Sequence, residues 1–171
     1  MRNLLFVLLL IPVLSFSQTS SVFIRLTDAK GTAIVGDATT RGFEKSIRAF
    51  TTSSSGKNNI QFNFTMPVAG AGAILKSAMA GGEQLLNATV YVMVPNSMSG
   101  VLQSSYTIKM EKIRVLACSE SMGCNNVMTT TVSLQATRIG WTYYTADRSG
   151  SVSVSQKYGF DAETGKAWNN F

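Results

Sequence analysis

The sequence contains no histidine, and this absence narrows the chemistry open to the protein. Catalysis by Ser-His-Asp or Cys-His arrangements needs an imidazole as proton carrier, and most zinc hydrolases bind their metal through histidine. The nine acidic residues are dispersed, without the Asp-x-Asp spacing typical of calcium loops. We therefore expect no catalytic residue, no cofactor and no metal site. Two carboxylates distant in sequence and close in space, as in a glycosidase, remain the one enzymatic alternative.

Cysteine is nearly absent. The two cysteines, Cys118 and Cys124, enclose five residues in what the composition predicts to be a loop between strands. In an exported protein such a pair predicts a disulfide that closes a small loop and stabilises the fold by about 2 kcal/mol. A metal or redox pair is the alternative, but the spacing is not Cys-x-x-Cys and no histidine is available.

Acidic residues are few compared with basic ones. Fifteen Lys and Arg against nine Asp and Glu give a net charge of +6 and a pI of about 9.6. The basic residues are scattered from Arg2 to Lys166 without clusters, whereas nucleic-acid-binding proteins concentrate them on one face or interleave them with stacked aromatics. We therefore expect no nucleic-acid partner.

Long apolar runs are absent except at the N-terminus. Residues 4–14 are continuously apolar, follow Met1-Arg2-Asn3, and precede small residues at the positions that a signal peptidase recognises. This pattern predicts a signal peptide over residues 1–17 and a single mature domain over residues 18–171, secreted or periplasmic. The run is short for a bilayer span, so no stable membrane anchor is expected, although a transmembrane anchor is the minority alternative.

The pattern of residues 61–94 predicts a strand, then one short helix, then a second strand. Apolar residues alternate with polar ones from Ile60 to Met66 and again from Leu86 to Val94, which is the period of a half-buried strand. Between these segments, Pro67 ends the first strand and Gly81-Gly82 end a helix. The apolar stripe of this helix consists of Ile74, Leu75, Ala78 and Met79.

The later strands each change their apolar phase part-way along. Tyr106, Ile108 and Met110 give way to Ile113 and Val115 in one strand. In the next, the apolar positions 132, 134 and 136 give way to 139, 141 and 143. Such shifts indicate β-bulges, and bulged long strands favour a curved sheet. The predicted fold class is therefore mainly β, a small antiparallel β-barrel with one short flanking α-helix.

Other segments are less patterned. A first strand is predicted over residues 22–26, loops or a weak hairpin over 27–42, and a strand, ambiguous with helix, over 43–50. The Ser- and Thr-rich residues 51–59 predict a loop, and residues 152–158 a last strand. Trp168 indicates that the C-terminal tail docks on the domain.

Four segments together resemble the Hcp family, the haemolysin-coregulated tube proteins of the type VI secretion system. They are Gln-Phe-Asn-Phe-Thr at 61–65 leading into 73–78 and Gly81-Gly82, the strand 106–110 continuing to Val115, the strand 132–134 through 138–143, and Gly-Phe-Asp at 159–161 with Thr-Gly-Lys at 164–166. No single segment is specific, but the ordered set spans most of the predicted mature chain.

The resemblance implies a non-enzymatic tube subunit. Members of this family form hexameric rings that stack into a tube, which a sheath propels and which carries a spike and effectors. By analogy, the loop over residues 33–41, and Gly36-Asp37 in particular, would provide contacts between rings. Here Asp and Ala replace the Glu and Ser of the family's Gly-Glu-Ser loop.

The leader departs from the family pattern, because family members assemble in the cytoplasm. A start codon placed too far upstream, an unconventional assembly that retains the apolar segment, and a secreted relative that keeps the fold are the three explanations. The alternative function is a secreted monomeric β-module that binds a glycan or protein at the cell surface, and a hydrolase is a third.

Overall fold

The computed structural model describes residues 20–55, 60–96, 100–122, 126–147 and 151–171, and within them the chain forms one ten-stranded antiparallel sheet and one helix. The predicted mainly β fold with a single helix is confirmed. The elements are β1 (Ser21–Thr27), β2 (Ala33–Ile34), β3 (Ile47–Ala49), β4 (Thr51–Ser55), β5 (Ile60–Pro67), α1 (Gly70–Gly81), β6 (Gln84–Pro95), β7 (Leu102–Met122), β8 (Met128–Ala146), β9 (Val152–Asp161) and β10 (Lys166–Ala167).

The long hairpin of β7 and β8 organises the sheet, whose order is β10-β9-β8-β7-β6-β1-β2. The first half of β8 pairs with β5 and the second half with β9. β3 pairs with β1 and β4 with β5, and only Phe50 separates β3 from β4. The sheet therefore curls around one core but is not closed into a continuous hydrogen-bonded ring. The protein thus resembles the predicted β-barrel in its curvature, but it is not a closed barrel.

The core lies on the concave face of the sheet. The apolar phase of β5 points into it, with Phe62, Phe64 and Met66 each 1% exposed. α1 covers one side of the core through Leu75 and Ala78 and ends where Gly82 adopts a left-handed conformation with φ 65°. Within the described residues, no helix combines the length and apolar character needed to cross a membrane.

The predicted changes of apolar phase are confirmed. Met110 and Ile113, three positions apart in β7, are both buried, because the backbone between them turns at Lys112 with φ 51°. The register shifts lie elsewhere, between Val115 and Ala117 in β7 and at Tyr143/Tyr144 in the pairing of β8 with β9, so the predicted β-bulges do not fall at the phase changes. These irregularities bend the two long strands so that they wrap the core.

Several local predictions need correction. Residues 51–55, predicted as loop, form β4, because their backbone pairs with β5 even though their Ser and Thr side chains have no apolar phase. In β6, Leu85 is buried instead of Leu86. On α1, Ile74 and Met79 are exposed, since Leu75 and Ala78 already fill the contact with the sheet.

The N-terminal half also differs in detail. Phe43 lies in a loop, outside the short strand β3, and stacks on Phe23 with ring centroids 4.5 Å apart. The predicted leader, residues 1–17, lies outside the described residues, and so does Cys124.

Candidate interaction surfaces

Three charged side chains form an ion-paired row across three strands. Glu111, Arg138 and Asp161 face one another in register on β7, β8 and β9. The Arg138 guanidinium donates to Asp161 Oδ2 at 2.9 Å and to Glu111 Oε2 at 3.2 Å. These hydrogen bonds raise the pKa of Arg138. The arrangement ties the edge strand β9 to the centre of the sheet.

Asp161 also organises the turn that follows β9. Its Oδ1 accepts the backbone N–H groups of Glu163 at 2.9 Å and Thr164 at 3.2 Å. Burial raises the pKa of this carboxyl, but the hydrogen bonds from Arg138 and from the two backbone N–H groups outweigh burial, so its pKa is lowered. The Gly-Phe-Asp and Thr-Gly-Lys segments noted in the sequence are thus the two sides of one turn.

Groups that could hold a metal do not gather among the described residues. No cluster of three or more Asp, Glu, Cys or His side chains occurs there. Asp28 accepts backbone N–H groups of its own turn, from Lys30 and Thr32. Asp28 and Asp161 therefore stabilise turns, and Glu111, Glu120 and Glu163 form ion pairs.

Cys118 lies in β7, and not in the loop that the sequence predicts. Its side chain is buried against the core, and its Sγ lies 3.8 Å from the carbonyl oxygen of Gly72 on α1. Burial raises the pKa of the Cys118 thiol, while Lys76 lowers it and Glu120 raises it. Because Cys124 is outside the described residues, the disulfide stays a prediction.

The loop that carries Gly36 and Asp37 is fastened to the outside of the sheet. Gly36 N donates to Lys45 O at 2.7 Å, and a Cβ on Gly36 would lie 2.3 Å from the carbonyl oxygen of Ser46. The backbone N–H of Arg48 donates to Asp37 Oδ1 at 3.3 Å. Gly36 is therefore required by packing within the chain, while the exposed Asp37 carboxylate is the part of the pair available to a partner.

A small second core holds this loop in place. Phe23, Ala38 and Met93 are buried together on the outer side of the sheet. The Arg25 guanidinium lies 5.7 Å from the ring centre of Phe43 and 5.4 Å from that of Tyr91. Cation–π contacts of this kind hold the loop in place against the outer side of the sheet.

An open groove of about 510 Å³ runs along one end of the sheet. Its polar lining includes Gln84, Arg114 and Gln135, and Lys112 pairs with Glu163 at its margin. The groove combines amide and cationic groups without an aromatic platform.

An uncharged polar surface covers the outer side of β4, β5 and β8. Three rows of facing residues form it, and we call it the hydroxyl–amide face: Thr51, Thr65 and Thr131; Ser53, Asn63 and Ser133; Ser55, Gln61 and Gln135. Residues paired directly across strands share a face, and the alternate positions of β5 and β8 point into the core. The sequence reveals the polar phase of β5, but not that β4 and β8 extend it.

The end of the β8–β9 hairpin extends past the last pair of β8 with β7, Tyr143 with Tyr106, and apolar side chains along β9 are exposed. We call residues 143–146 together with residues 152–158 the arm. Every residue from 152 to 158 is exposed, including Val154 at 55% and Tyr158 at 62%. The predicted last strand is confirmed, but its apolar side chains are not part of the core.

The C-terminal tail docks beside the arm, as predicted from Trp168. Trp168 is buried, and its backbone N–H donates to Gly159 O at 3.0 Å. The Phe171 ring lies against Gly140 and Gly159, where a side chain at either position would collide with it.

Residues 23–143 match the family model described as "Type VI secretion system effector, Hcp". The chain belongs to this family. The resemblance noted from the sequence is thus confirmed. None of the curated proteins matches the chain.

Solved Hcp structures share the fold. Hcp1 from Salmonella typhimurium is 15% identical, with a TM-score of 0.71 over 87% of this chain and 99% of that chain. Hcp1 from E. coli EAEC 042 is 20% identical, with a TM-score of 0.65 over 79% and 97%. The "secreted protein Hcp3 from Pseudomonas aeruginosa" is 17% identical, with a TM-score of 0.65 over 80% and 97%. At these identities the likeness establishes the Hcp fold alone.

Proposed function

We propose that the mature chain is a structural tube subunit that assembles with copies of itself into rings and that these rings stack. Membership of the Hcp family over residues 23–143 is the observation that carries this proposal. The family resemblance implies six subunits per ring and gives the protein no catalytic role. A spike, a sheath and effector proteins are the partners that a type VI tube would have.

The distribution of charge supports self-association. Without Arg2 of the leader, each mature copy carries fourteen basic and nine acidic residues, a net charge of +5, so contacts between copies are favoured at uncharged surfaces. The hydroxyl–amide face contains no charged residue, and the arm contains only Lys157. The nitrogen of Lys157 already lies 2.6 Å from the Phe171 backbone oxygen of the same chain. The chain thus offers two sizeable surfaces that copies of like charge could share.

Contacts between rings are assigned to the loop around Gly36 and Asp37. Gly36 shapes the loop and the exposed Asp37 carboxylate meets the next ring. Export is assigned to residues 1–17, with cleavage leaving Gln18 as the first residue and with Cys118 and Cys124 joined in the oxidising compartment.

The test is the native mass of the chain over residues 18–171, measured by native mass spectrometry across a wide concentration range. A closed oligomer, hexameric if the family pattern holds, is expected. A monomer at the highest concentration would reject the tube proposal and favour the secreted monomeric β-module. In parallel, protein recovered from culture supernatant is expected to begin at Gln18, and an intact Met1 would reject the cleaved leader.

A further inference from the structure

The groove at one end of the sheet lies where β8 changes its edge partner. β5 pairs with β8 as far as Ala136, and β9 pairs with β8 from Arg138 onwards. Thr137 lies between them. Its carbonyl oxygen accepts the backbone N–H of Ala162 at 2.9 Å, and its hydroxyl donates to Lys112 O at 3.2 Å. The volume of the groove, about 510 Å³, is within the range of small-molecule sites.

A guanidinium lies between two amides in this groove. Gln84 on β6, Arg114 on β7 and Gln135 on β8 are directly opposite one another across the three strands. All three residues line the groove. Residues opposite one another on neighbouring strands have Cβ atoms about 5 Å apart and share a face, so the three polar groups can contact one ligand.

Arg114 carries the charge in the groove that has no counterpart. The charged residues among those that line it are Lys112, Arg114 and Glu163, and Lys112 pairs with Glu163 at 2.7 Å. Within the part of the chain that the structure describes, the side chain of Arg114 forms neither an ion pair nor a hydrogen bond. One uncompensated positive charge favours a ligand with one negative charge.

The backbone at the margin of the groove is strained. Lys112 has φ 51°, a left-handed conformation that is costly for a residue with a side chain. The hydrogen bond from the Thr137 hydroxyl to Lys112 O helps to hold it there. Strain of this kind is concentrated at ligand-binding sites, so it points to this groove independently of the charges.

The lining also indicates what a ligand would carry besides its charge. A guanidinium binds a carboxylate through two parallel hydrogen bonds. The glutamine amides both donate and accept, as sugar hydroxyls do. The apolar lining is limited to Ile60, Ala136 and Ala162, of which Ile60 and Ala136 are buried, and this leaves little room for an apolar side chain. The groove is therefore suited to a carboxylate that carries hydroxyl groups.

We propose that the groove binds a sugar acid, with the carboxylate on the Arg114 guanidinium and the hydroxyls on the amides of Gln84 and Gln135. A free uronic acid and a uronic acid residue within an oligosaccharide present this same chemistry. Since the groove lies within a single copy, the proposal is independent of the ring function, which would stand if no sugar acid bound.

Calorimetric titration of the mature chain in its native assembly tests the proposal. The probes are glucuronate, a glucuronate-containing tetrasaccharide, glucose, acetate and inorganic phosphate. Glucuronate is expected to bind at least about tenfold more tightly than glucose, which lacks the charge-assisted hydrogen bonds, and more tightly than acetate, which lacks hydroxyls. Tighter binding of the tetrasaccharide would identify an oligosaccharide as the ligand, and equal affinity a free sugar acid.

Matched variants locate the binding. Arg114→Gln is expected to weaken glucuronate binding at least about tenfold, and Arg114→Lys by less, because it keeps the charge but loses the fork. Gln84→Ala is expected to weaken it by about fivefold. Lys30→Gln, which removes one charge from an exposed turn outside the groove, is the control and should leave binding unchanged. Residues 30, 84 and 114 are all exposed, so urea midpoints near wild type would separate lost binding from lost folding.

Four results would overturn the proposal. Neither glucuronate probe binds measurably, glucose binds as tightly as glucuronate, or Arg114→Gln keeps the wild-type affinity. In the fourth, acetate or phosphate binds as tightly as glucuronate, which would favour an acidic peptide or a phosphorylated ligand instead.

Discussion

Gly36→Ala tests whether the loop around Gly36 and Asp37 is fixed by packing within the chain. The added Cβ would lie 2.3 Å from Ser46 O and 2.4 Å from Ile47 N, and both are backbone atoms that cannot rotate away. Relief requires the loop to move by about 1 Å, which amounts to overpacking at about 1–3 kcal/mol. The same movement weakens the hydrogen bonds Gly36 N to Lys45 O and Ala38 N to Ser46 O, each worth about 1 kcal/mol.

The expected loss in the free energy of unfolding is therefore about 2–4 kcal/mol. With a urea m-value of about 2 kcal/mol/M, the midpoint should fall by about 1–2 M. The matched variant Asp37→Ala removes one exposed hydrogen bond to Arg48 N, so its midpoint should change little. A Gly36→Ala midpoint equal to wild type would refute the packing argument. Loss of ring stacking in Asp37→Ala, with stability unchanged, would identify the carboxylate as the contact.

Three further predictions concern the core and the ionisable groups. Leu75→Ala removes a side chain with no exposed surface and should lower the free energy of unfolding by about 2–5 kcal/mol in urea titration; Ile74→Ala, one position away and exposed, should cost far less. The folded-state pKa of Asp161 lies below 3.8, so its stabilisation is present above that pH and is lost as pH falls through the folded value. The difference in melting temperature between wild type and Asp161→Asn should accordingly narrow as the pH falls below about 4, and a constant difference would contradict this. In Cys124→Ser protein, burial should make native Cys118 react with iodoacetamide at least about tenfold more slowly than in urea, and equal rates would contradict its buried position.

The strongly periodic strands could be predicted from the sequence because their side chains alone determine which face is buried. β5 is the clearest case, since four apolar residues alternate with polar ones along it. The phase changes in β7 and β8 were likewise visible in the apolar positions, but the β-bulges inferred from them were wrong, because the register between the two strands is continuous there and the backbone of β7 turns at Lys112 instead.

The interaction surfaces were harder to predict. Nothing in Thr-Thr-Ser-Ser-Ser indicates a strand, because β4 is held by backbone pairing with β5 and not by burial of its side chains. The valines of β9 resemble a core strand, yet they are exposed because no layer of the described structure covers the arm. Gly36 shows the reverse case, since family analogy marked it as a contact residue whereas the structure explains it by its approach to Ser46 O.

The central claim is that this Hcp-family chain works by assembling with itself. Negative-stain imaging of the purified mature protein, with class averages viewed down the symmetry axis, tests it most directly. The account predicts closed rings of one rotational order. Uniform monomeric particles of the wild-type protein at the highest soluble concentration would contradict it.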